Sequence, residues 1–433
     1  MPSRSGGLPG RSLRVRTAEG KEPVNASERP REPDPRPTPD GTAIPHQSLV
    51  GVFLRFLRFG LLAWGGPVAQ IAMLKRELVE EDRWIPVSRF NRALAVYQVL
   101  PGPEAHELCV YFGMLARGRL GALLAGLGFM LPGFVLMLAL SWAYRNVGLS
   151  SPLVAAALQG LQAVVIALVV RALHRIGRHS VTAPRLWAIA ILALAGDLAG
   201  VHFAVILALA AVANAVAVKG LRAWPIACAG LAVAAAVAVG QLCSGLVAGS
   251  APATAAAATH SSVDLFLRGL RAGLLTFGGA YTVIPFLRHD AVTAGGWMTD
   301  AQFLDGLALG GVLPAPLIIF STFVGYLAGG PLGAVAMTVG IFLPAFAFTI
   351  LGHEFLERVT TDERLRTPLD GVVAGVVGLV AATTVSLFRS GVTNAASFAI
   401  FAAGLAVLHL WNSKAAVPLA VLAGGLAGIA LFR

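Results

Sequence analysis

The chain has 433 residues, of which 56% are hydrophobic and 13% are charged, and its formal net charge is +11. An ordinary soluble globular protein has a charged share of about 25%, so this composition excludes that class. The basic residues stand in short loops between apolar segments, and no basic stripe with interleaved aromatic residues points to a nucleic-acid partner. Cys109, Cys228 and Cys243 lie in apolar stretches without metal-ligand spacing, which is typical of small buried residues. The sequence predicts an all-α polytopic protein of the lipid bilayer.

Residues 1–48 have a different composition from the rest of the chain. They contain nine prolines, eight Lys/Arg and six Asp/Glu, and no apolar run long enough for the core of a signal peptide. Such a segment cannot bury enough apolar surface to fold. We therefore expect a disordered cytoplasmic tail.

The remaining chain is an internal duplication with an offset of 213 residues. Ten of fourteen positions are identical between 53–66 and 266–279, and the same offset pairs Trp84 with Trp297. The predicted division is a first repeat over 49–218, a linking transmembrane helix within 219–262 and a second repeat over 263–433.

Each repeat offers six apolar segments, and one extra segment lies between the repeats. This odd number of spans brings the second repeat into the membrane from the opposite side, which defines an inverted repeat. We expect about 13 transmembrane segments, including broken or re-entrant helices. The candidates are 49–66, 92–115, 120–144, 152–170, 186–200 and 202–218, then 223–247, then 263–287, 303–327, 331–352, 369–388, 394–411 and 415–432.

The basic loops predict a cytoplasmic N-terminus. With this orientation Arg117, Arg119 and a loop from Arg171 to Arg185 all fall inside. One loop disagrees, because residues 75–92 carry five basic and four acidic residues and would lie outside. Either the first segment does not fully cross the membrane, or this loop folds back into it.

Two Gly-Gly pairs interrupt apolar helices at equivalent positions of the repeats. The first is Trp64-Gly65-Gly66-Pro67 and the second is Phe277-Gly278-Gly279. Glycine weakens a helix interior, whereas proline is favoured where a helix starts. We predict one helix ending at the glycines and a new one starting near Pro67, whose free N–H groups attract an anion. The alternative is that the glycines only permit close helix packing.

A second pair of breaks is formed by closely spaced prolines. The first repeat has Pro101-Gly102-Pro103-Glu104, and the second has Pro314-Ala315-Pro316. Unpaired backbone at membrane depth is tolerated only against protein or a water-filled cavity. Four broken helices are therefore expected to converge at a central site. Glu104 is either a helix cap or a proton-coupling group, while His106 and Glu107 are expected to be packing or interfacial residues.

Paired arginines precede both Gly-Gly breaks. Arg55 and Arg58 lie on one helix face, and Arg268 and Arg271 repeat them. Snorkelling to the membrane interface and a role in an anion pathway are both open, because the guanidinium fork suits tetrahedral oxyanions.

No motif in the sequence indicates catalysis, a metal site or a cofactor. The absence of a nucleotide-binding signature also argues against a primary pump. We therefore expect a protein that is not an enzyme.

These phrases together resemble the chromate ion transporter family from about residue 50 to 432. The matching stretches are FGLLAWGGPVAQ, QVLPGPEAHELCVYFGMLARGRLGALLAG, FMLPGF, LLTFGGAYTVIP and FVGYLAGGPLGA. The resemblance implies two oppositely oriented halves with about thirteen spans. It also implies chromate export across a bacterial inner membrane, driven by the membrane potential or a proton gradient.

Two departures from the family pattern favour the first repeat as the anion site. Ala315 and Ala280 stand where the family commonly has glycine. Transport of sulfate or another oxyanion, a membrane scaffold and an intramembrane enzyme remain alternatives, and a homo-oligomer is left open. The predicted substrate-binding residues are Arg55, Arg58, Gly65, Gly66, Pro67, Pro101, Gly102, Pro103, Glu104, Arg268, Arg271, Gly278, Gly279, Pro314 and Pro316.

Overall fold

The structure is a computed structural model that describes residues 44, 47–98, 100–146, 151–218, 260–361, 363–411 and 416–432, with side chains for all of these except 353–366. Within these ranges the chain forms helices and turns, with a single β-type bridge between Pro101 and Phe277. Cys109 is buried, as expected. Almost all of the predicted tail lies outside the described residues, as do the linking span 223–247, Cys228 and Cys243.

The first repeat is a succession of helices with short connections. A π-helical segment, Lys75–Glu81, continues the second helix. The described helices are α1 (Leu49–Leu61), α2 (Gly66–Leu74), α3 (Val87–Tyr97), α4 (Glu104–Asn146), α5 (Pro152–Ser180), α6 (Pro184–Leu198) and α7 (Phe203–Val218).

The second repeat has the same order of elements. Short 3₁₀ turns, Ala280–Val283 and Leu317–Phe320, precede the helices that begin at Ile284 and Ser321. A π-helical segment, His289–Ala294, continues the first of these two helices. The described helices are α8 (Ser262–Leu274), α9 (Ile284–Arg288), α10 (Asp300–Val312), α11 (Ser321–Thr361), α12 (Glu363–Gly391), α13 (Ala395–Leu410) and α14 (Ala416–Leu431).

A sharp reversal divides each of α4 and α11 into a short arm before the turn and a long arm after it. In α4 the reversal has φ/ψ of −145°/28° at Arg117 and 63°/−151° at Gly118. In α11 it has −144°/21° at Gly329 and 63°/−153° at Gly330. The left-handed φ explains a glycine at the second position of each turn. The repeat seen in the sequence is thus repeated in the backbone.

Helices α1 and α2 form a hairpin, hairpin 1, that does not cross the bilayer. Arg58 Nη1 lies 3.1 Å from Glu77 Oε2, and Arg55 forms an ion pair with Asp82. Helix α1 has 13 residues, or roughly 20 Å, whereas a hydrocarbon core is about 30 Å thick. Residues 75–82 therefore return to the end of the molecule at which α1 begins. This removes the conflict over the basic loop 75–92, and the first segment is re-entrant.

Helix α3 and the short arm of α4 form hairpin 2. Arg89 Nε donates to the Tyr111 hydroxyl at 3.1 Å, and the rings of Phe90 and Phe112 stack at 6.3 Å. A continuous helix would separate residues 22 positions apart by roughly 33 Å. The predicted span 92–115 is therefore a second re-entrant hairpin.

The second repeat contains the equivalent hairpins 3 and 4. Hairpin 3 is α8 with α9, where Arg271 forms an ion pair with Asp290. Hairpin 4 is α10 with the short arm of α11, where the ring of Phe323 lies against Gly306. The predicted spans 263–287 and 303–327 are hairpins too. The broken or re-entrant helices expected from the sequence are present, but they fold back instead of crossing.

The crossing helices surround these hairpins. Within the described ranges, four helices are long and apolar enough to span a membrane, and three shorter apolar helices accompany them. Near Gly278, α5 contributes Ile176 and α12 contributes Val373, whereas Ile166 of α5 lies against Gly391 of α12. The two helices are therefore antiparallel, as inverted repeats require. The four long segments are Glu104–Asn146, Pro152–Ser180, Leu317–Gly352 and Thr367–Gly391.

Helix α5 corrects one further prediction. It has 29 residues and continues to Ser180, so residues 171–180 are helical and do not belong to a loop. The helix is roughly 43 Å long, because each residue adds about 1.5 Å. Its last turns carry Arg171 and Arg175 alongside the hairpins.

Candidate functional site

The tip of hairpin 1 has the predicted broken-helix geometry. Gly65 and Gly66 have φ of 89° and 79°, which is left-handed backbone that suits glycine. The new helix starts at Gly66 with Pro67 in its first turn, and no side chain caps it. The proline fixes an α-helical start, as the sequence indicates.

The tip of hairpin 3 uses the same glycines but a looser start. Gly278 and Gly279 have φ of 78° and 113°, and the chain continues as a 3₁₀ turn at Ala280 before α9 begins. No proline follows directly to set the helical φ. The N–H groups of Gly279 and Ala280 form no hydrogen bond with a described residue.

The tips of hairpins 2 and 3 are in contact. Gly102 N–H donates to the carbonyl of Thr276 at 2.8 Å, next to the bridge between Pro101 and Phe277. Pro103 directly precedes the start of α4 at Glu104. A proline tip of one repeat thus meets the Gly-Gly tip of the other. We name this contact the charged tip pair, because Glu104 and two arginines of α5 lie beside it.

The tips of hairpins 1 and 4 face each other across a cavity, without the hydrogen bond that joins hairpins 2 and 3 in the described chain. Gly65, Gly66 and Ala315, which lies between Pro314 and Pro316, line this cavity. Its other walls are largely apolar, and we name these two tips the apolar tip pair. The remaining lining residues are Val165, Leu168, Val169, Tyr281, Leu307, Gly310, Gly311, Leu313, Leu317 and Val417.

The two pairs are close neighbours along α5. Leu168 lines the cavity of the apolar tip pair, whereas Ile176, eight residues later, lies against Gly278. That spacing is about 12 Å along a helix. Tyr281 connects the two, because its hydroxyl would lie 3.9 Å from a Cβ on Gly66. Of the four tips, two are joined by a hydrogen bond and two line a neighbouring cavity, while their role as one substrate site stays a prediction.

Two arginines that are not among the predicted substrate-binding residues lie at the charged tip pair. Both lie on α5: Arg175 directly precedes Ile176, whose side chain lies against Gly278, and Arg171 is one helical turn before Arg175. Glu104 lies at hairpin 3, since its Oε1 would be 3.7 Å from a Cβ on Gly279. Neither guanidinium forms a hydrogen bond or an ion pair within the described ranges. Their spacing of four residues, which places both on one helix face, is the sequence pattern that could have identified them.

The carboxylates of α4 lie in its first turn. Glu104 forms no hydrogen bond to backbone N–H groups in the described chain, and both of its predicted roles, helix cap and proton-coupling group, stay predictions. Glu107 is fully buried, which agrees with the packing alternative. His106 is a packing residue, because its ring lies 4.9 Å from that of Phe342 and 4.8 Å from that of Phe346.

The predicted arginine pairs lie at the bases of hairpins 1 and 3, away from the tips. Arg55 stacks over Trp84 at 5.0 Å, and Arg268 stacks over Trp297 at 5.4 Å. This is a cation–π contact, repeated with the internal symmetry.

Each second arginine holds a buried carboxylate 19 residues away. Arg58 binds Glu77, and Arg271 binds Asp290, whose side chain is 1% exposed. A buried carboxylate without a cation is strongly destabilising. These contacts support a structural role as hairpin clamps, and the role of the four arginines as anion ligands stays a prediction.

Inverted repeats whose broken helices meet inside a helical bundle are the architecture of secondary transporters. The comparisons with known proteins agree with this class. The chain belongs to the chromate transporter family, whose model matches residues 50–232 and 263–429. It is a multi-pass membrane protein, and membership of this family supports a role in chromate transport.

Three relatives illustrate the extent of the similarity. The chain is 55% identical to a chromate transport protein of Pseudomonas aeruginosa, over 90% of this chain and 94% of the relative. It is 29% identical to a probable chromate transport protein of Synechococcus elongatus, over 89% and 96%. It is also 29% identical to a chromate transport protein of Cupriavidus metallidurans, over 93% and 98%. No solved structure matches the chain.

Proposed function

We propose that the protein exports chromate from the cytoplasm across a bacterial inner membrane, as a secondary transporter whose anion site is the charged tip pair. The observation that carries this proposal is the position of Arg171 and Arg175. Both lie beside the Gly-Gly tip of hairpin 3, and neither forms an ion pair with a described carboxylate. Arg171 is half-buried and Arg175 is exposed, so both are accessible to an anion at this tip. Ionisable residues within membrane-spanning segments mark an ion pathway by default.

The chemistry of this tip suits a tetrahedral dianion. Guanidinium groups donate in a fixed fork, and charge-assisted hydrogen bonds are about twice as strong as neutral ones. The free N–H groups of Gly279 and Ala280 add donors without a charge. Tyr281 supplies a hydroxyl on the side of the apolar tip pair. Glu104 competes with the anion for Arg175, so it weakens binding enough to allow release.

The orientation follows from the basic residues. Residues 75–92 return to the end where α1 begins, and Arg117 and Arg119 stand at the reversal of α4. All of these are expected on the cytoplasmic side. The C-terminal turns of α5, which carry the exposed Arg175 and Arg178, point to the same end. A cytoplasmic dianion would then meet the arginines first.

The membrane potential is sufficient to drive export. An inside-negative potential expels a negative charge with roughly 2.3 kcal/mol per 100 mV. A dianion gains twice this amount. Transport, rather than catalysis, is the activity that these groups support.

The test is uptake of labelled chromate by inside-out vesicles that contain the protein. We expect uptake when a lumen-positive potential is imposed, and its loss when an ionophore collapses the potential. The variant R175Q should lower chromate affinity about ten- to a hundredfold, whereas R178Q, on the same helix, should leave it unchanged. If neither chromate nor sulfate enters under a potential, the proposal is wrong.

Sulfate is the second candidate substrate, because it has nearly the same shape and charge as chromate. Backbone and arginine donors at one site would separate the two poorly. Competition by unlabelled sulfate in the same vesicles ranks the two anions. Stronger inhibition by sulfate than by chromate would reassign the substrate and leave the site unchanged.

A further inference from the structure

Helix α4 begins with two carboxylates at the charged tip pair. Glu104 and Glu107 are three residues apart and therefore lie on one face of the first turn. Glu107 is 0% exposed, and neither of its carboxylate oxygens has a hydrogen-bond partner. A buried carboxylate without donors is costly when ionised, by several kcal/mol.

The fold does not require these carboxyl groups. At the offset of 213 residues, Leu317 and Phe320 stand in the places of Glu104 and Glu107. The second repeat therefore builds its proline tip and the start of α11 with apolar side chains. Packing alone therefore does not explain a glutamate at position 107, where the second repeat has a phenylalanine.

No basic residue among the described ones faces Glu107. The titratable groups around it are Glu104 on its own helix and Tyr97 on α3. The positive charge of Arg175 acts on Glu104, one turn away. An ionised Glu107 would thus be a fully buried charge without a hydrogen-bond donor or a counter-ion among the described residues.

Glu107 also contacts the segment that joins the two tips. A Cβ on Gly102 would lie 2.7 Å from Glu107 Oε1, and the N–H of Gly102 donates to Thr276 on hairpin 3. Separation of hairpins 2 and 3 would break this hydrogen bond and admit water to Glu107. The same movement would change the surroundings of Gly279, where the anion is proposed to bind.

We propose that Glu107 carries a proton that is exchanged for the exported anion; this inference rests on the proposed function. Glu107 is a neutral acid while the tips are closed. It releases its proton to the cytoplasmic side when the tips separate, and it is reprotonated from the outside. Anion and proton are coupled because both depend on the contact between Gly102 and Thr276.

The test uses chromate uptake by inside-out vesicles at zero potential, clamped with valinomycin and equal potassium on both sides. An acidic lumen should drive uptake by the wild-type protein. If one proton is exchanged per anion, one pH unit raises chromate accumulation about tenfold, since a pH unit is worth about 1.36 kcal/mol. The variant Glu107→Gln should lose this response and keep uptake driven by the potential. The control Glu80→Gln, at a half-exposed glutamate at the base of hairpin 1, should keep the response to pH.

A luminal pH dye gives an independent measurement on the wild-type protein. Addition of chromate at zero potential should make an acidic lumen more alkaline. The inference is wrong if Glu107→Gln keeps its pH response, or if the wild type carries chromate without moving protons. Absence of wild-type transport under either gradient would instead overturn the proposed function.

Discussion

The two Gly-Gly tips share positive φ angles at both glycines, but they differ in the helix start that follows and in their surroundings. Gly65 and Gly66 meet Ala315 in a cavity with largely apolar walls, whereas Gly278 and Gly279 lie near Arg171, Arg175 and Glu104. The hairpins are duplicated, but charged groups lie at one pair of tips. A repeated motif therefore locates the backbone of a site, whereas the residues that differ between the repeats decide which ligand the site can bind.

The difference extends to the helices beside the tips. Helices α5 and α12 both have 29 residues and are antiparallel, yet Arg171 and Arg175 have no basic counterpart on α12. The equivalent positions, within one residue, are 382–384 and 386–388, which hold Ala, Thr, Ser, Leu and Phe. The anion site is accordingly expected at one tip pair, in contrast to the sequence preference for the first Gly-Gly pair.

The largest effect is expected from removing the arginines. Each of Arg171→Gln and Arg175→Gln should lower chromate affinity about ten- to a hundredfold, because a hydrogen bond to a charged group is worth about 1.5–3 kcal/mol. The double variant should fall to background in vesicle uptake. Arg178→Gln is the matched control. Normal affinity in the double variant would move the site away from the charged tip pair.

A smaller and more selective effect is expected at the glycines. Alanine at Gly66, with φ of 79°, forces an L-residue into left-handed backbone at a cost of about 1–2 kcal/mol. Gly279, with φ of 113° and ψ of 166°, lies in a region that is essentially restricted to glycine, where alanine costs of order 1–3 kcal/mol. Both variants should lose thermal stability. Gly279→Ala should also lower chromate affinity about tenfold, whereas Gly66→Ala should leave it unchanged. Equal affinities for the two variants would remove the distinction between the tips.

The smallest effect on transport is expected at the hairpin bases, where the repeats are alike. Glu77 and Asp290 each have a second cation 3.7 Å away, Arg76 and Arg268 respectively. Arg58→Gln and Arg271→Gln should therefore each cost about 1–2 kcal/mol of stability, after a discount for exposed guanidinium groups.

The KM for chromate should stay at the wild-type value in both clamp variants. The double variants R58Q/E77Q and R271Q/D290N should regain stability, as measured by thermal unfolding in detergent. A raised KM with normal stability would instead indicate that Arg58 and Arg271 contact the anion, as the sequence predicted.

Much of the frame was predictable from the sequence. The Gly65-Gly66-Pro67 break, the helix start after Pro103 and the inverted arrangement follow from backbone chemistry and the 213-residue offset. Hydropathy could not show that α1 folds back, because a re-entrant helix and a crossing helix are equally apolar. The signal for folding back was an acidic residue 19 positions after Arg58 and again after Arg271.

The charged part of the site was missed for a different reason. Arg171 and Arg175 were assigned to a loop because basic residues commonly mark cytoplasmic connections. No proline interrupts the helix between Pro152 and Pro184, so the helical alternative was available in the sequence. Which helix lies beside which tip depends on tertiary packing and could not be read from local patterns.

The most direct test of the account is the position of bound chromate in a crystal of the protein soaked with the anion. Chromium scatters X-rays anomalously, so a difference map identifies the ion without ambiguity. We predict an anomalous peak between the guanidinium groups of Arg171 and Arg175 and the N–H of Gly279. A peak between Gly66 and Ala315, with none at the arginines, would contradict the assignment of the anion site to the charged tip pair.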